Sequence, residues 1–431
     1  LLEVPLDYSD PSAGTTNLGI IKSPADTEDA QEVLINPGGP GGSSVTEVQL
    51  GYAGVQEKIG TQFSIVGIDP RGVANSGPSS DCFPGLSPIA RNSYIADVNA
   101  IPDITSDYTL RQSHEYMNGY GKWCSSVYAV NQTAKYAGTV ATAQDMLHYI
   151  ELRAQDKGDD PKNAKLFYYG ISYGTTLGST FASLYPDRIG RMILDGVMDL
   201  EDQFNGGWET SIIDNDAVAH RFFEACFEAG PTRCAFHRNA SSPAALSARF
   251  WTLLEHLKQH PIAVGSWPET QALLPENLIL TPALLTWKDL LDIMFGTLYI
   301  LTPTAYAELD AVLTGLLVQD YTGAAALSMK SRISSLFPTA HDERTARFLI
   351  NCVDADARFN TSDFAAYKTF VEEMQEKSRF GGLKASTYSG PICSFLDVRP
   401  PPSQVFDGEL DVCLDGSFSR HRCCCCCCRF C

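Results

Sequence analysis

The chain has 431 residues, 44% of them hydrophobic and 19% charged, an ordinary globular composition with ample material for a buried core. Its formal net charge of -19 argues against nucleic acid or an anionic membrane surface as a partner. No apolar run reaches the roughly 18 residues of a membrane helix, because the richest, Leu290 to Leu301, is broken by Asp292 and Gly296. Residue 1 is a leucine beside the strand-like stretch Leu2 to Tyr8, so the start of the protein is expected to be missing or processed away.

The first stretch that carries chemistry is the apolar strand Glu32 to Asn36 running into Pro37-Gly38-Gly39-Pro40-Gly41-Gly42-Ser43-Ser44. So many glycines let a backbone approach a ligand closely. The G-K-[ST] ending of a phosphate loop is absent, with no lysine after the glycines until Lys58. A second strand, Phe63 to Ile68, ends in Asp69-Pro70-Arg71-Gly72-Val73-Ala74-Asn75-Ser76, which reads as a loop with an internal Asp–Arg pair. Gly138 to Ala154 has apolar residues at helical spacing, with Asp145 and Glu151 expected to face outward.

Leu166 to Tyr169 then leads into Gly170-Ile171-Ser172-Tyr173-Gly174, followed by the helix-like Thr175 to Ala182. G-x-S-x-G between a strand and a helix is the pattern of a nucleophile elbow. The turn is too sharp for side chains two residues either side of the serine. It exposes Ser172 Oγ, and the N-terminus of the following helix points N–H groups at developing negative charge. The oxyanion donors expected for this arrangement are the backbone N–H groups of Gly39 and Tyr173. Arg191 to Val197 forms the next strand. Beyond Asp199 the pattern turns helical: Ala217 to Ala229, Ala244 to Gln259, Trp287 to Thr297, Ala305 to Leu317, Glu343 to Ala357 and Ser362 to Ser378. Strand signals are almost absent there. The large side chains Trp208, Phe222, Trp251, Trp287 and Met294 are expected in its core.

Six cysteines lie in the body of the chain, and the remainder crowd the end as Cys413, the run Cys423 to Cys428, and Cys431. The even set suggests disulfides. Cys226 and Cys234 close a short loop; Cys82 with Cys124 and Cys352 with Cys393 are the other expected pairs, although connectivity stays open. The sequons at Asn131, Asn239 and Asn360 agree with a secreted or extracellular protein.

Taken together, Pro-Gly-Gly-Pro-Gly, Asp-x-Arg-Gly-x-Ala-x-Ser and Gly-x-Ser-Tyr-Gly resemble the proline iminopeptidase group of α/β-hydrolases. Within it the chain is most similar to the tripeptidyl aminopeptidase-like secreted hydrolases of actinomycetes and fungi. Val4-Pro-Leu-Asp-Tyr8, Ile193-Leu-Asp-Gly-Val197 and Ile350-Asn-Cys-Val-Asp354 also fit that branch, and the likeness runs over roughly residues 2 to 400. Ala74 stands where the group usually has glycine, which should tighten the loop. The resemblance implies an α/β fold, a mostly parallel sheet flanked by helices, with an inserted helical cap. The division implied is a core over 1–198, a cap and approach to the C-terminal core over 199–395, and an aberrant tail over 396–431.

The activity implied is that of a serine hydrolase releasing short N-terminal peptides or residues through an acyl-enzyme on Ser172, with no metal and no cofactor. A non-catalytic binding protein of the same fold and a carboxylesterase are the alternatives. Asp199, Glu201 and Glu209 could bind the free amine of such a substrate, against the plainer reading of a solvated acidic stretch. The acid and the histidine of the triad are not found, since the family carries both beyond the cap. The one histidine there is His421, between arginines in low-complexity sequence. The sequence from about Leu410 is therefore expected not to be the family's ending, as a shifted reading frame or an unspliced intron would produce. The last two strands of the sheet would be missing with it.

Overall fold

The strand Glu32–Asn36 is buried along its whole length, and the sheet is arranged around it. The structure, a computed structural model, describes residues 1–27, 29–264, 283–321, 323–324 and 342–406. The tail from Leu410, with His421 and its cysteines, lies outside the described residues. Strands β1 (Leu2–Pro5) and β2 (Thr15–Leu18) form an antiparallel pair. The main sheet is built from β3 (Ile20–Ser23), β4 (Glu32–Asn36), β5 (Ser64–Ile68), β6 (Leu166–Ile171) and β7 (Ile189–Asp195), in the order β3-β5-β4-β6-β7. Only β3 runs antiparallel; the other four are parallel to one another.

Parallel strands covered on both faces need apolar side chains pointing both ways, which is why β4 and β5 read as continuous hydrophobic runs. Val33 and Ile35 point to one face, where Val48 and Val55 of α1 (Ser44–Ile59) cover them. Leu34, Val66 and Ile68 point to the other, against Met146 and Ile150 of α4 (Thr139–Asp156) and Leu177 and Phe181 of α5 (Tyr173–Leu184). Among the described residues β7 is an edge, and Ile193 on it is 53% exposed.

The helices between, α2 (Pro88–Val98) and α3 (Asp107–Tyr128), pack elsewhere. Their buried residues join one large apolar cluster with those of α7 (Asn215–Ala229), α8 (Pro243–Gln259), α9 (Trp287–Tyr299), α10 (Pro303–Val318), α11 (Glu343–Ala355) and α12 (Phe364–Lys377). The helical layer thus draws on residues before the elbow as well as after it. Short helices α6 (Leu200–Asn205), α13 (Gly382–Ala385) and α14 (Ser389–Cys393) complete it. Phe222 and Met294 lie in this core as expected, and Trp208 is buried too. The near-absence of strands needs one correction, because β8 (Ile262–Val264) pairs antiparallel with β9 (Ala283–Leu285). Three-residue strands are too short to show a period of two.

All three expected disulfides form: Cys82–Cys124, Cys226–Cys234 and Cys352–Cys393. Each is worth about 2–4 kcal/mol by restricting the unfolded chain. Among the described residues no helix is long and apolar enough to cross a membrane.

The Asp–Arg pair expected inside the loop after β5 does not form. Arg71 instead reaches α4, where Nε and Nη2 donate to the two oxygens of Asp145 at 2.7 and 2.8 Å. Its remaining donors go to the carbonyls of Pro5, Leu6 and Tyr136. Asp145, expected outward, is therefore buried, because the guanidinium fork and the N-terminal segment enclose it. Asp69 turns the other way and accepts from Ser43 Oγ, the Val45 N–H and Asn75 Nδ2. Ala74, in the same loop, sits at φ 43°, a conformation that suits glycine. Ala74→Gly is expected to raise stability by up to about 1 kcal/mol in urea unfolding, after the entropy of the unfolded glycine is offset. A fall in stability would show that the loop carries no such strain.

Candidate active site

Strand β6 ends at Ile171 and α5 begins at Tyr173, which leaves Ser172 alone on the turn with φ 55° and ψ -121°. A non-glycine residue in such a conformation stores about 1–3 kcal/mol, and its surroundings must hold it there. Its N–H donates to the Asp195 carbonyl at the end of β7, at 2.9 Å. Its carbonyl accepts from the Thr175 N–H at 2.8 Å and from Thr175 Oγ1 at 2.6 Å. The two glycines of the motif are required sterically. A Cβ on Gly170 would run into the Gly174 carbonyl oxygen, and one on Gly174 would lie 2.6 Å from the Asn36 carbonyl oxygen.

The glycine-rich loop after β4 lies over this turn. Asn36, buried at the strand end, accepts the Gly38 N–H on Oδ1 at 2.9 Å and so starts the loop. Gly38 has φ 97°, and a Cβ there would sit 2.5 Å from the Ile171 oxygen and 2.8 Å from Ser172 Cβ. The structure therefore brings Gly38 onto Ser172, with Gly39 next in line. Ser43 closes the loop by capping α1, accepting the Thr46 N–H at 3.0 Å while donating to Asp69 at 2.7 Å. Among the described residues neither the Gly39 N–H nor the Tyr173 N–H has a hydrogen-bond acceptor. Ser172 is half-buried beside this loop, and free backbone N–H groups near a nucleophile are what a developing oxyanion needs. Gly38→Ala is expected to slow turnover at least about a hundredfold and to destabilise the fold by over about 1 kcal/mol. Steady-state kinetics with a melting curve checks both, and a fully active alanine variant would place the loop away from the chemistry.

Tyr173 itself points into the core. Its hydroxyl lies 2.5 Å from Thr139 Oγ1, which donates to Asp354 Oδ2 at 2.5 Å. Asp354 comes from the end of α11, more than two hundred residues away in sequence. Burial pushes its carboxyl up to about 6, and hydrogen bonds from Thr139 and Gln203 only partly offset that. Burial also raises the Tyr173 phenol. Sequence reasoning missed Thr139, Gln203 and Asp354 as neighbours of the elbow. The available signal was the stretch Ile350-Asn-Cys-Val-Asp354 near the end of a helical run, which does not name the partners of its aspartate.

Among the described residues none completes a triad with Ser172. Its Oγ has no hydrogen-bond partner among the described residues. His114 packs against Tyr367 and Phe395, His148 against Tyr8, and His220 against Phe223 and Phe380. His237 stacks on Phe227, and His256 and His260 face each other. The acidic residues weighed for an amine are partly occupied. Asp199 caps α6 by accepting from the N–H groups of Glu201 and Asp202, Glu209 pairs with Lys377, and Glu201 is exposed. Among the described residues one group of metal-ligating type occurs, Cys226, Cys234 and Asp310. Both cysteines are in a disulfide, and Asp310 accepts the N–H groups of Ala235 and Phe236, so both its carboxylate oxygens are already engaged.

Comparison with known proteins agrees with this fold. Residues 32–253 match the model of the alpha/beta hydrolase fold family. Serine protease Hip1 of Mycobacterium tuberculosis is 35% identical over 199 residues, covering 46% of this chain and 35% of that protein. Tripeptidyl aminopeptidase of Streptomyces lividans is 29% identical over 238 residues, covering 50% of this chain and 41% of that protein. Carboxylesterase B of Mycobacterium tuberculosis is 39% identical over 82 residues, covering 19% of this chain and 16% of that protein. The chain thus spans less than half the length of these curated relatives.

Proposed function

The chain belongs to the alpha/beta hydrolase fold family, and on that premise we propose that it is a serine hydrolase that releases short peptides from the N-terminus of its substrates. The observation that carries the reading is Ser172 on its strained turn, under a glycine loop that leaves the Gly39 and Tyr173 N–H groups unpaired. Ser172 Oγ attacks the carbonyl carbon as its proton passes to a base, which the described residues do not supply. The carbonyl electron pair moves to oxygen, where the two N–H groups receive it. Collapse expels the amine, which takes the proton, and water then hydrolyses the acyl-serine by the same route. Similarity to a tripeptidyl aminopeptidase and a serine protease supports the peptide substrate, and three disulfides are compatible with an extracellular location.

A fluorophosphonate probe tests the nucleophile directly. Labelling that maps to Ser172 is expected; absence of labelling rejects the hydrolase reading. That negative result would favour a non-catalytic binding protein, which the lack of a base beside Ser172 among the described residues would also suit. Esters and peptides pass through the same intermediate, and the local match to a carboxylesterase keeps ester cleavage as a second reading. Turnover of a tripeptidyl amide, set against a short-chain nitrophenyl ester, separates the two.

A further inference from the structure

Helix α4 begins at Thr139 behind Gly138, a residue with no side chain to cap it. The cap comes from another part of the molecule. Asp354 Oδ1 accepts the Thr139 N–H at 2.7 Å, and Oδ2 accepts Thr139 Oγ1 at 2.5 Å and Gln203 Nε2 at 3.1 Å. Because Thr139 gives its only hydroxyl proton to the carboxylate, its oxygen is left to receive the Tyr173 phenol proton. The result is a hydrogen-bond chain of fixed direction, from Tyr173 through Thr139 to Asp354. Every member is buried. Gln203 is tied in turn to Asn351, and Asn351 to Ser389, so α6, α11 and α14 all brace the carboxylate.

We propose that Asp354 is a positioning residue for the oxyanion hole, fixing Tyr173 and hence its backbone N–H beside Ser172 through the Thr139 hydroxyl. The inference rests on the serine-hydrolase reading and adds to it a residue from the helical layer. The ionised carboxylate accepts from Thr139, so Tyr173 can donate. A protonated Asp354 would itself donate to Thr139 Oγ1, and the Thr139 proton would turn toward Tyr173. The phenol proton would then have no acceptor, and the ring would lose its anchor. The titratable and charged groups that face Asp354 are Tyr173 and Arg358; Thr139, Gln203 and Asn351 are neutral.

An ionised carboxylate is costly at this position. Burial raises its folded pKa to about 6 from an ordinary 3.8. A raised value means that its contribution to stability is fully present below the unfolded value and is lost as pH rises through about 6. Asp354→Asn removes that penalty and keeps the cap, since the amide oxygen still accepts the Thr139 N–H. The Asn amide nitrogen would donate to Thr139 Oγ1, and Gln203, whose Oε1 has no partner, would turn to accept the second proton, with the Asn351 amide turning alike so that its Nδ2 donates to Gln203 and its Oδ1 accepts from Ser389 Oγ. The variant therefore mimics the protonated parent. Its expected signature is a protein that is no less stable above neutrality yet reacts more slowly at Ser172. A residue with a purely structural role would lose both together.

The experiment measures the second-order rate of fluorophosphonate labelling of the full chain, with melting curves, between about pH 5 and pH 7.5. At the upper pH Asp354→Asn is expected to label about tenfold more slowly than the parent and to melt no lower. The ratio of the two rates is expected to fall toward one at the lower pH, where both side chains are neutral; taking the ratio cancels the titration of the catalytic base. Thr139→Ser should stay within about twofold of the parent, while Thr139→Val should be about tenfold slower, which keeps the question answerable if Asp354→Asn does not fold. Equal rates for parent and Asp354→Asn, a ratio independent of pH, or a lower melting point with slower labelling would each overturn the proposal. A parent that never labels rejects the hydrolase reading and this inference with it; equal labelling rejects this inference alone.

Discussion

Ser172→Ala is expected to lower kcat/KM by at least about a thousandfold while leaving substrate affinity within a few-fold, because losing the nucleophile removes the acyl-enzyme route altogether. The surroundings offer no substitute. The hydroxyl of Thr175, three residues on, donates to the Ser172 carbonyl at 2.6 Å and accepts the Met198 N–H at 3.0 Å, so it is turned away from the substrate side. The fold should survive the change, since alanine fits the same backbone and Ser172 Oγ makes no hydrogen bond among the described residues. Ser172→Gly should be as inactive and should melt higher, because glycine relieves the φ of 55°. Steady-state kinetics on a peptide amide, with melting curves, reads both. Activity within about tenfold of the parent would place the active site elsewhere.

The parts of this molecule that were legible in the sequence are those fixed by local chemistry. The elbow is a short-range device: two glycines, one serine, a strand before and a helix after, each forced by contacts within a few residues or by one neighbouring strand. Strands β4 and β5 announced themselves because burial on both faces favours the apolar runs Val33 to Ile35 and Ile65 to Ile68. Helices α4 and α7–α12 were legible by period, with boundaries a few residues off. Helices α2 and α3 were not marked. Helix α3 buries polar and aromatic residues such as Ser113, His114, Tyr120 and Tyr128, which blurs an apolar stripe. What pattern cannot show is pairing between distant polar groups. Asp145 looked like an outward residue of an amphipathic helix, and only the arrival of Arg71 makes its burial tolerable. Asp354 likewise gained meaning only when α11 was seen to end against Thr139. Both cases replace a sequence-local expectation with a contact of long sequence separation, to a charged partner for Asp145 and a neutral one for Asp354.

The Arg71–Asp145 pair should give the largest loss of stability from a single substitution. Arg71 is fully buried and spends its donors on both Asp145 oxygens and on the carbonyls of Pro5, Leu6 and Tyr136, which ties α4 and the loop after β5 to the N-terminal strand. Arg71→Met is expected to cost about 3–5 kcal/mol, because it strands a carboxylate out of water and takes a donor from the carbonyls of Pro5, Leu6 and Tyr136, of which Leu6 keeps Gln404 Nε2. Tyr8, which donates to Asp145 at 2.9 Å, is too weak a partner to replace the cation. Most of that cost is the charge left behind, so Arg71→Met with Asp145→Leu should recover a good part of it. The pH dependence has a definite sign. Burial already outweighs Arg71 and raises the Asp145 carboxyl above its ordinary range. Removing the cation raises it further, so protonation rescues the variant in acid and the deficit against the parent widens as pH rises toward neutrality. Urea unfolding of parent, single and double variants at about pH 4.5 and pH 7.5 measures all of this. A deficit under about 1 kcal/mol at the higher pH, or one that does not change between the two, would mean that water reaches the pair and that the N-terminal strand is held by something else.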